Sequence, residues 1–215
     1  MKLSFKNIQP LSFEHTQKKD SIWGNDIQLN APGIYKIIAS SGSGKSTLIS
    51  ILSGIRSDYS GVLSFDDRNI AEFKSKDWAS CRQSSISLVY QDLRLFPNLS
   101  ARENILLSQD ITGKDTSESN TSIEEFATAM GVHEQLDKLV MHLSFGQMQR
   151  IAIIRAIIRN YHWIILDEPF SHLDIHNATI AWKLITQEAK KRNAGILIAC
   201  LDAYSFIQAD EIFHL

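Results

Sequence analysis

The sequence predicts an α/β fold in which a sheet is interrupted by a mostly helical lobe. Three observations predict it. Short apolar runs in the last third, separated by a helix-length segment, read as strands covered on both faces of a parallel sheet. A Gly/Ser-rich turn at 40–44 joins a strand pattern to a helix pattern. Between 92 and 142 the strand pattern gives way to amphipathic segments.

The elements follow in order. Leu3-Ser4-Phe5 and Asp26-Ile27-Gln28-Leu29 alternate as half-buried strands do. After Pro32-Gly33, Tyr35 to Ala39 reads as a strand, and Thr47 to Leu52 as a helix stopped at Gly54. Gly61 to Phe65 and Ile86 to Tyr90 are further strands, the latter running into Gln91. Segments 100–107 and 123–139 are amphipathic, and the polar stretch 108–122 between them reads as an exposed connection. Residues 147–159 are apolar on most faces, a helix buried around much of its circumference. Trp163 to Leu166 and Ile196 to Ala199 are strands, with a crossover helix at 177–192. These 215 residues suffice for one domain with an inserted lobe: a core of about 1–91 and 160–215, and a helical subdomain of about 92–159.

Composition narrows the function classes. At 44% apolar and 21% charged the chain is globular, and a net charge of -2 gives no global attraction to a nucleic acid. Two distant cysteines, Cys81 and Cys200, suggest neither a disulfide framework nor a zinc site, and a reducing compartment is the simpler reading. The longest apolar runs fall short of the roughly 20 residues a membrane span needs, and the N-terminus lacks a signal-peptide core. Work at a membrane would require another chain.

Ala39-Ser40-Ser41-Gly42-Ser43-Gly44-Lys45-Ser46-Thr47 is a P-loop between a strand and a helix. Small residues let successive N–H groups curl around a phosphate chain, and the helix N-terminus adds positive potential. Lys45 supplies a flexible cation for the β- and γ-phosphates, and the Ser46 hydroxyl is placed for Mg2+. Gly-Lys-Ser alone could merely cap a helix; strand, loop and helix together favour nucleotide binding. The usual leading glycine is Ala39, which costs about 1–2 kcal/mol if the backbone there needs positive φ. The strand Trp163 to Leu166 delivers Asp167 and Glu168 at its carboxyl end, where open α/β sheets bind ligands. Asp167 would hold Mg2+ through its water shell, and Glu168 would polarise the attacking water as general base or orienter.

Two further stretches separate the chain from kinases and small GTPases. Gln91 follows a strand, and Leu143-Ser144-Phe145-Gly146-Gln147 directly precedes an arginine-bearing helix. The latter resembles the signature motif of ABC-type ATPases, and Ser171-His172-Leu173-Asp174 resembles their D-loop. The order P-loop, Gln, signature, Walker B, D-loop covers most of the chain, which is similar to a stand-alone ATP-binding subunit of an ABC transporter. Its compact size and residues 96–104 are similar to importer-type, lipoprotein-export or cell-division-type cassettes.

The resemblance implies a P-loop NTPase (RecA-like) core sheet with N-terminal antiparallel strands and an inserted, mostly helical signature subdomain. It implies ATP and Mg2+ as ligands and a second ATP-binding subunit, identical or different, sandwiching two nucleotides head to tail. Ser144, Gly146 and Gln147 would face the γ-phosphate held by the other subunit, and Gln91 would touch Mg2+ and the water. As a local structure, Ser144 with Gln147 three residues on also forms a capping box. An integral-membrane permease would insert a helix into the groove beside Gln91. Leu93, Leu95 and Phe96, read as exposed apolar side chains, are candidates for that contact, or simply pack the lobe. The chain would be cytoplasmic, peripheral on the inner face of the cell membrane through the permease. No nucleic-acid partner is expected, since DNA-acting relatives carry coiled coils or tandem cassettes for which the chain has no room. Phe13, ahead of Trp23, is the candidate to stack on adenine, with a core aromatic as the alternative.

The match departs from the family at two more positions. Phe145 replaces the first signature glycine, and Leu201 stands where a switch histidine usually follows the next strand, ahead of Asp202. Leucine cannot hydrogen-bond a γ-phosphate or water, and Cys200, its strand neighbour, points to the other face. Two functions therefore stand: an ATPase that drives a permease, and a hydrolysis-impaired, nucleotide-gated regulatory or scaffold subunit.

Overall fold

The computed structural model describes residues 1–12, 21–39, 42–110, 116–201 and 204–215. Two sheets stack against each other. Strands β1 (Lys2–Pro10), β2 (Asp26–Asn30), β4 (Tyr59–Phe65) and β5 (Arg68–Asn69) form an antiparallel sheet in the order β2-β1-β4-β5. Strands β3 (Gly33–Ile38), β6 (Ile86–Val89), β7 (Trp163–Asp167), β8 (Gly195–Cys200) and β9 (Glu211–His214) form a parallel sheet in the order β6-β7-β8-β3-β9. The helices are α1 (Lys45–Leu52), α2 (Ser75–Ser80), α3 (Ala101–Asp110), α4 (Thr116–Ala129), α5 (Phe145–Ile157) and α6 (Ile175–Lys191).

The parallel sheet is the middle layer, and β7 shows why its sequence carries no polar alternation. Trp163 and Ile165 pack with α1 and the antiparallel sheet, whereas Ile164 and Leu166 pack with α5 and α6. A strand buried on both faces must be apolar at every position, and each such side chain contributes about 1.5–3 kcal/mol of burial. Gly195, paired with Trp163, leaves room for that indole: a Cβ there would lie 2.5 Å from the ring.

Helix α1 stops where expected, with Gly54 at φ 70° beyond the Ser53 cap. The stretch 108–122 departs from the expected connection. Helix α3 runs on to Asp110 and α4 begins at Thr116. A segment polar all round shows no period, yet α4 is pinned from its far half, where Ile123 and Ala127 are fully buried one turn apart. Gly131, at φ 62°, then ends the helical course that the amphipathic reading extended to 139. Among the described residues no helix is long and apolar enough to cross a membrane.

Candidate functional site

Because β3, β6, β7 and β8 are parallel, the segments leaving their carboxyl ends gather at one edge: 39–44 from β3, Gln91 from β6, Glu168 from β7 and Leu201 from β8. Ala39 is buried and has no positive φ, so alanine in the leading glycine's place strains nothing. The positive φ values fall on Gly42 (80°) and Gly44 (104°), which do lack a Cβ. Gly44 is the N-cap of α1, whose first turn has neither a side-chain cap nor an acidic residue. Its N–H donors and positive dipole end are thus available to an anion. Ser46 and Thr47 lie in that first turn, and the Thr47 hydroxyl accepts a bond from Arg56 at 3.3 Å. Ser40, Ser41 and Phe13 lie outside the described residues. Trp23 is buried, and its indole N–H donates a long bond of 3.5 Å to the Ser43 carbonyl beneath the loop.

The Lys45 ammonium donates to the Ala39 carbonyl at 2.8 Å and pairs with Glu168 Oε1 at 3.1 Å. Both side chains are nearly buried, so the pair is little screened by water. Glu168 has φ 46°, a left-handed conformation that costs a non-glycine residue about 1–2 kcal/mol. Backbone bonds hold it there: its N–H donates to Ala199 O at 2.9 Å, and its carbonyl accepts from Gln149 Nε2 at 3.0 Å and Ser171 Oγ at 3.1 Å.

Asp167 is buried, and its Oδ1 has no hydrogen-bond partner. Burial, then the neighbouring Glu168 charge, push its carboxyl up to about 6, against the opposing pull of Lys45. Asp167 lines a cavity of about 400 Å³ together with Ser46, Tyr90, Gln91, Asp92 and Arg94. The three metal-ligand candidates, Ser46, Gln91 and Asp167, therefore share one cavity. An orphaned carboxylate oxygen, a hydroxyl and an amide oxygen form a hard donor set that fits Mg2+. Among the described residues no three His, Cys, Asp or Glu side chains cluster to hold a metal, so a cation here would need phosphate and water oxygens as well.

Ser144, Gly146 and Gln147 do not line that cavity. They form the start of α5, where Ser144 Oγ accepts from Gln147 N–H at 3.3 Å and Gln147 Oε1 accepts from Ser144 N–H at 2.9 Å. Gly146 is needed for close approach, since a Cβ there would lie 3.0 Å from the His172 carbonyl oxygen. Phe145 is 54% exposed with its ring centroid 4.5 Å from that of His172. Leu201 is 52% exposed just past β8, and Asp202 lies outside the described residues.

One expectation is corrected. Leu93 is buried rather than exposed, and Leu95 packs on the core, leaving Phe96 as the exposed member of the three. Leu93 and Arg94 both adopt positive φ, which turns the leucine inward. One residue escaped the sequence reading altogether. Gln149, fully buried in α5, donates to the Glu168 carbonyl and accepts from His172 N–H at 2.9 Å, so it fastens the signature helix to the strand end. A lone amide inside the apolar run after Gln147 is the signal that marks it.

Comparison with known proteins bears on the family and the fold. The ABC transporter family model matches residues 24–171. The lipoprotein-releasing system ATP-binding protein LolD of Idiomarina loihiensis is 30% identical over 177 residues, covering 82% of this chain and 78% of LolD. The pyoverdine export ATP-binding/permease protein PvdT of Pseudomonas fluorescens is 32% identical over 179 residues, covering 83% of this chain and 27% of PvdT. In fold, the chain superposes on the dimeric bacterial ABC transporter cassette MJ0796 with a TM-score of 0.83 at 22% identity, covering 99% of this chain and 94% of that one.

Proposed function

The chain belongs to the ABC transporter family, and from that premise we propose that it binds and hydrolyses ATP, paired with a second ATP-binding subunit around two Mg-ATP, to drive an integral-membrane permease. One observation carries the reading: Lys45 and Glu168 meet at the mouth of the P-loop, beside a carboxylate oxygen of Asp167 that nothing satisfies.

The chemistry follows from that arrangement. The N–H groups of 42–47 and the α1 N-terminus receive the phosphate chain. Lys45 is held by one carboxylate, and a triphosphate carries more charge, so the nucleotide draws the ammonium away from Glu168. Glu168, released at the same edge, accepts a hydrogen bond from the attacking water as base or orienter. Ser46, Gln91 and Asp167 would hold Mg2+, which supplies charge neutralisation for the phosphate oxygens. On this reading Ser144, Gly146 and Gln147, which start α5 and do not line their own chain's cavity, serve the partner's nucleotide in a head-to-tail pair.

The names of LolD, a lipoprotein-releasing system ATP-binding protein, and PvdT, an export ATP-binding/permease protein, support a membrane partner, through which the chain would sit on the inner face of the cell membrane. A second reading rests on Leu201, an apolar side chain where a polar group would act: the nucleotide closes the pair, hydrolysis is slow, and the output is conformational. Glu168→Gln discriminates. It should cut phosphate release by about 10²–10⁴ while retaining ATP, and should trap a dimer that wild type does not accumulate. Dimer accumulating alike in both proteins on sizing columns with Mg-ATP would reject hydrolysis as the wild-type output.

A further inference from the structure

His172 belongs to the turn that leads from β7 into α6, and the backbone of that turn is tied down. Ser171 N–H donates to the Glu168 carbonyl at 3.3 Å, and Leu173 N–H donates to the Phe170 carbonyl at 3.0 Å. Gln149 of α5 accepts from His172 N–H at 2.9 Å and donates to the Glu168 carbonyl at 3.0 Å. At the start of α5, Gly146 lets the His172 carbonyl come close. Arg150 donates to the Gly146 carbonyl at 3.2 Å and to Asn177 Oδ1, in the first turn of α6, at 3.5 Å. The His172 backbone and the α5 start are therefore fastened into one unit.

The His172 side chain has no such ties. It is exposed, it does not line the cavity of its own chain, and among the described residues its ring nitrogens have no hydrogen-bond partner. It rests on Phe145, with ring centroids 4.5 Å apart and planes inclined by 54°. Such a contact limits how the imidazole can turn but satisfies neither nitrogen. An aromatic side chain at position 145 thus has a structural use: it props His172 beside the helix start. An imidazole carries an N–H in either protonation state, so the prop presents a donor at any pH near neutrality. Leu201, just past β8, presents none.

We propose that His172, propped by Phe145, donates a hydrogen bond across the dimer to a γ-phosphate oxygen of the nucleotide in the partner chain's P-loop, and so offsets part of what Leu201 fails to provide there. The inference rests on the head-to-tail pair proposed above, in which the α5 start faces that phosphate, and it adds a catalytic residue from the neighbouring turn. The role is electrostatic. No proton is transferred; a fixed donor meets the charge on the phosphoryl oxygens as the bond to the leaving oxygen breaks.

His172→Phe separates the donor from the packing, because it keeps a ring against Phe145 and removes both nitrogens. In the full chain, steady-state phosphate release should fall by at least about tenfold. In the Glu168→Gln background, ATP-dependent dimerisation on sizing columns should need at least about tenfold more protein, while labelled ATP binds the dilute single chains as before. Mixing His172→Phe with Lys45→Ala in equal amounts should lift phosphate release severalfold above the mean of the two measured apart. The hybrid pair keeps one site that joins an intact P-loop to an intact His172. Release and dimerisation at wild-type levels in His172→Phe would overturn the donor and reduce the contact to packing. If wild type releases no phosphate at all, the dimerisation comparison decides alone. A loss that mixing does not recover would overturn the crossing and place the imidazole in its own chain's site. A Glu168→Gln protein that binds ATP and never pairs removes the dimer itself, and that failure is seen before His172 is altered.

Discussion

At the scale of single residues, the site turns on what each side chain can donate or accept. Ala39, Phe145 and Leu201 all depart from the family's pattern, yet they are not equivalent. Ala39 has an ordinary backbone conformation, so its Cβ is harmless. Phe145 keeps the helix start intact, since the cap is made by Ser144 and Gln147 and the close approach to His172 is made by Gly146. On the proposed reading Leu201 is the one that would remove chemistry, because no carbon atom can orient a water or a phosphate oxygen. Exposed beyond the end of β8, it can be replaced by a larger polar ring without disturbing the core. Leu201→His should therefore raise steady-state phosphate release by roughly tenfold or more, given that one preorganised donor is typically worth 10²–10³ in turnover. Equal rates in the two proteins would show that the position has no part in the step. The sequence revealed Leu201 because a motif position was empty; it could not reveal the Lys45–Glu168 contact, which joins the start of α1 to the end of β7, far apart in the chain.

At the scale of elements, legibility followed periodicity. Strands β7 and β8 were readable because both faces are buried, and α5 because its apolar residues run nearly all round. The start of α4 was not, because a polar turn carries no signal of the helix that tertiary contacts further along impose. Leu93 misled for a related reason: composition marks it apolar, but only the positive φ of the Leu93–Arg94 pair decides that it points inward. The end of α6 has a device that sequence patterning only hints at. Glu188 is buried and takes bonds from Lys191, at 2.6 Å, and Arg192, which also lies 5.2 Å from the Tyr161 ring centroid. Burial opposes the Glu188 charge, but Arg192 and Lys191 prevail and hold its pKa below the ordinary carboxylate value. A lowered folded pKa means that the ionised form stabilises the fold above the unfolded value near 4.5, and that this contribution fades as pH falls through the lowered one. Glu188→Gln should cost about 1 kcal/mol at pH 7, read as a shift of a few degrees in melting temperature. The gap should hold from pH 7 down to about 4.5 and close below that. A gap that stays constant into acid would show that the loss is one of packing and not of charge.

At the scale of the whole molecule, the parallel sheet gathers Lys45, Gln91, Asp167 and Glu168 at one edge but leaves the α5 start off that cavity. On the proposed reading the α5 start is half of an anion site, and a symmetric partner completes two such sites at once. Two defects in different halves of the composite site should then complement each other. Lys45→Ala removes the cation under the phosphates, and Ser144→Glu places a like charge where a partner's γ-phosphate would lie. Each protein alone should be inactive. Mixed in equal amounts, half of the dimers pair one defective chain of each kind, and each such dimer keeps one intact site, the one built from the unaltered P-loop of one chain and the unaltered signature of the other. Phosphate release should recover to about a quarter of the wild-type rate if the sites act independently. If both groups served a single chain's site, the mixture would remain dead, because no pairing of chains could restore it. Full recovery is excluded on either arrangement, so the fraction regained measures directly whether this chain catalyses as a pair of itself.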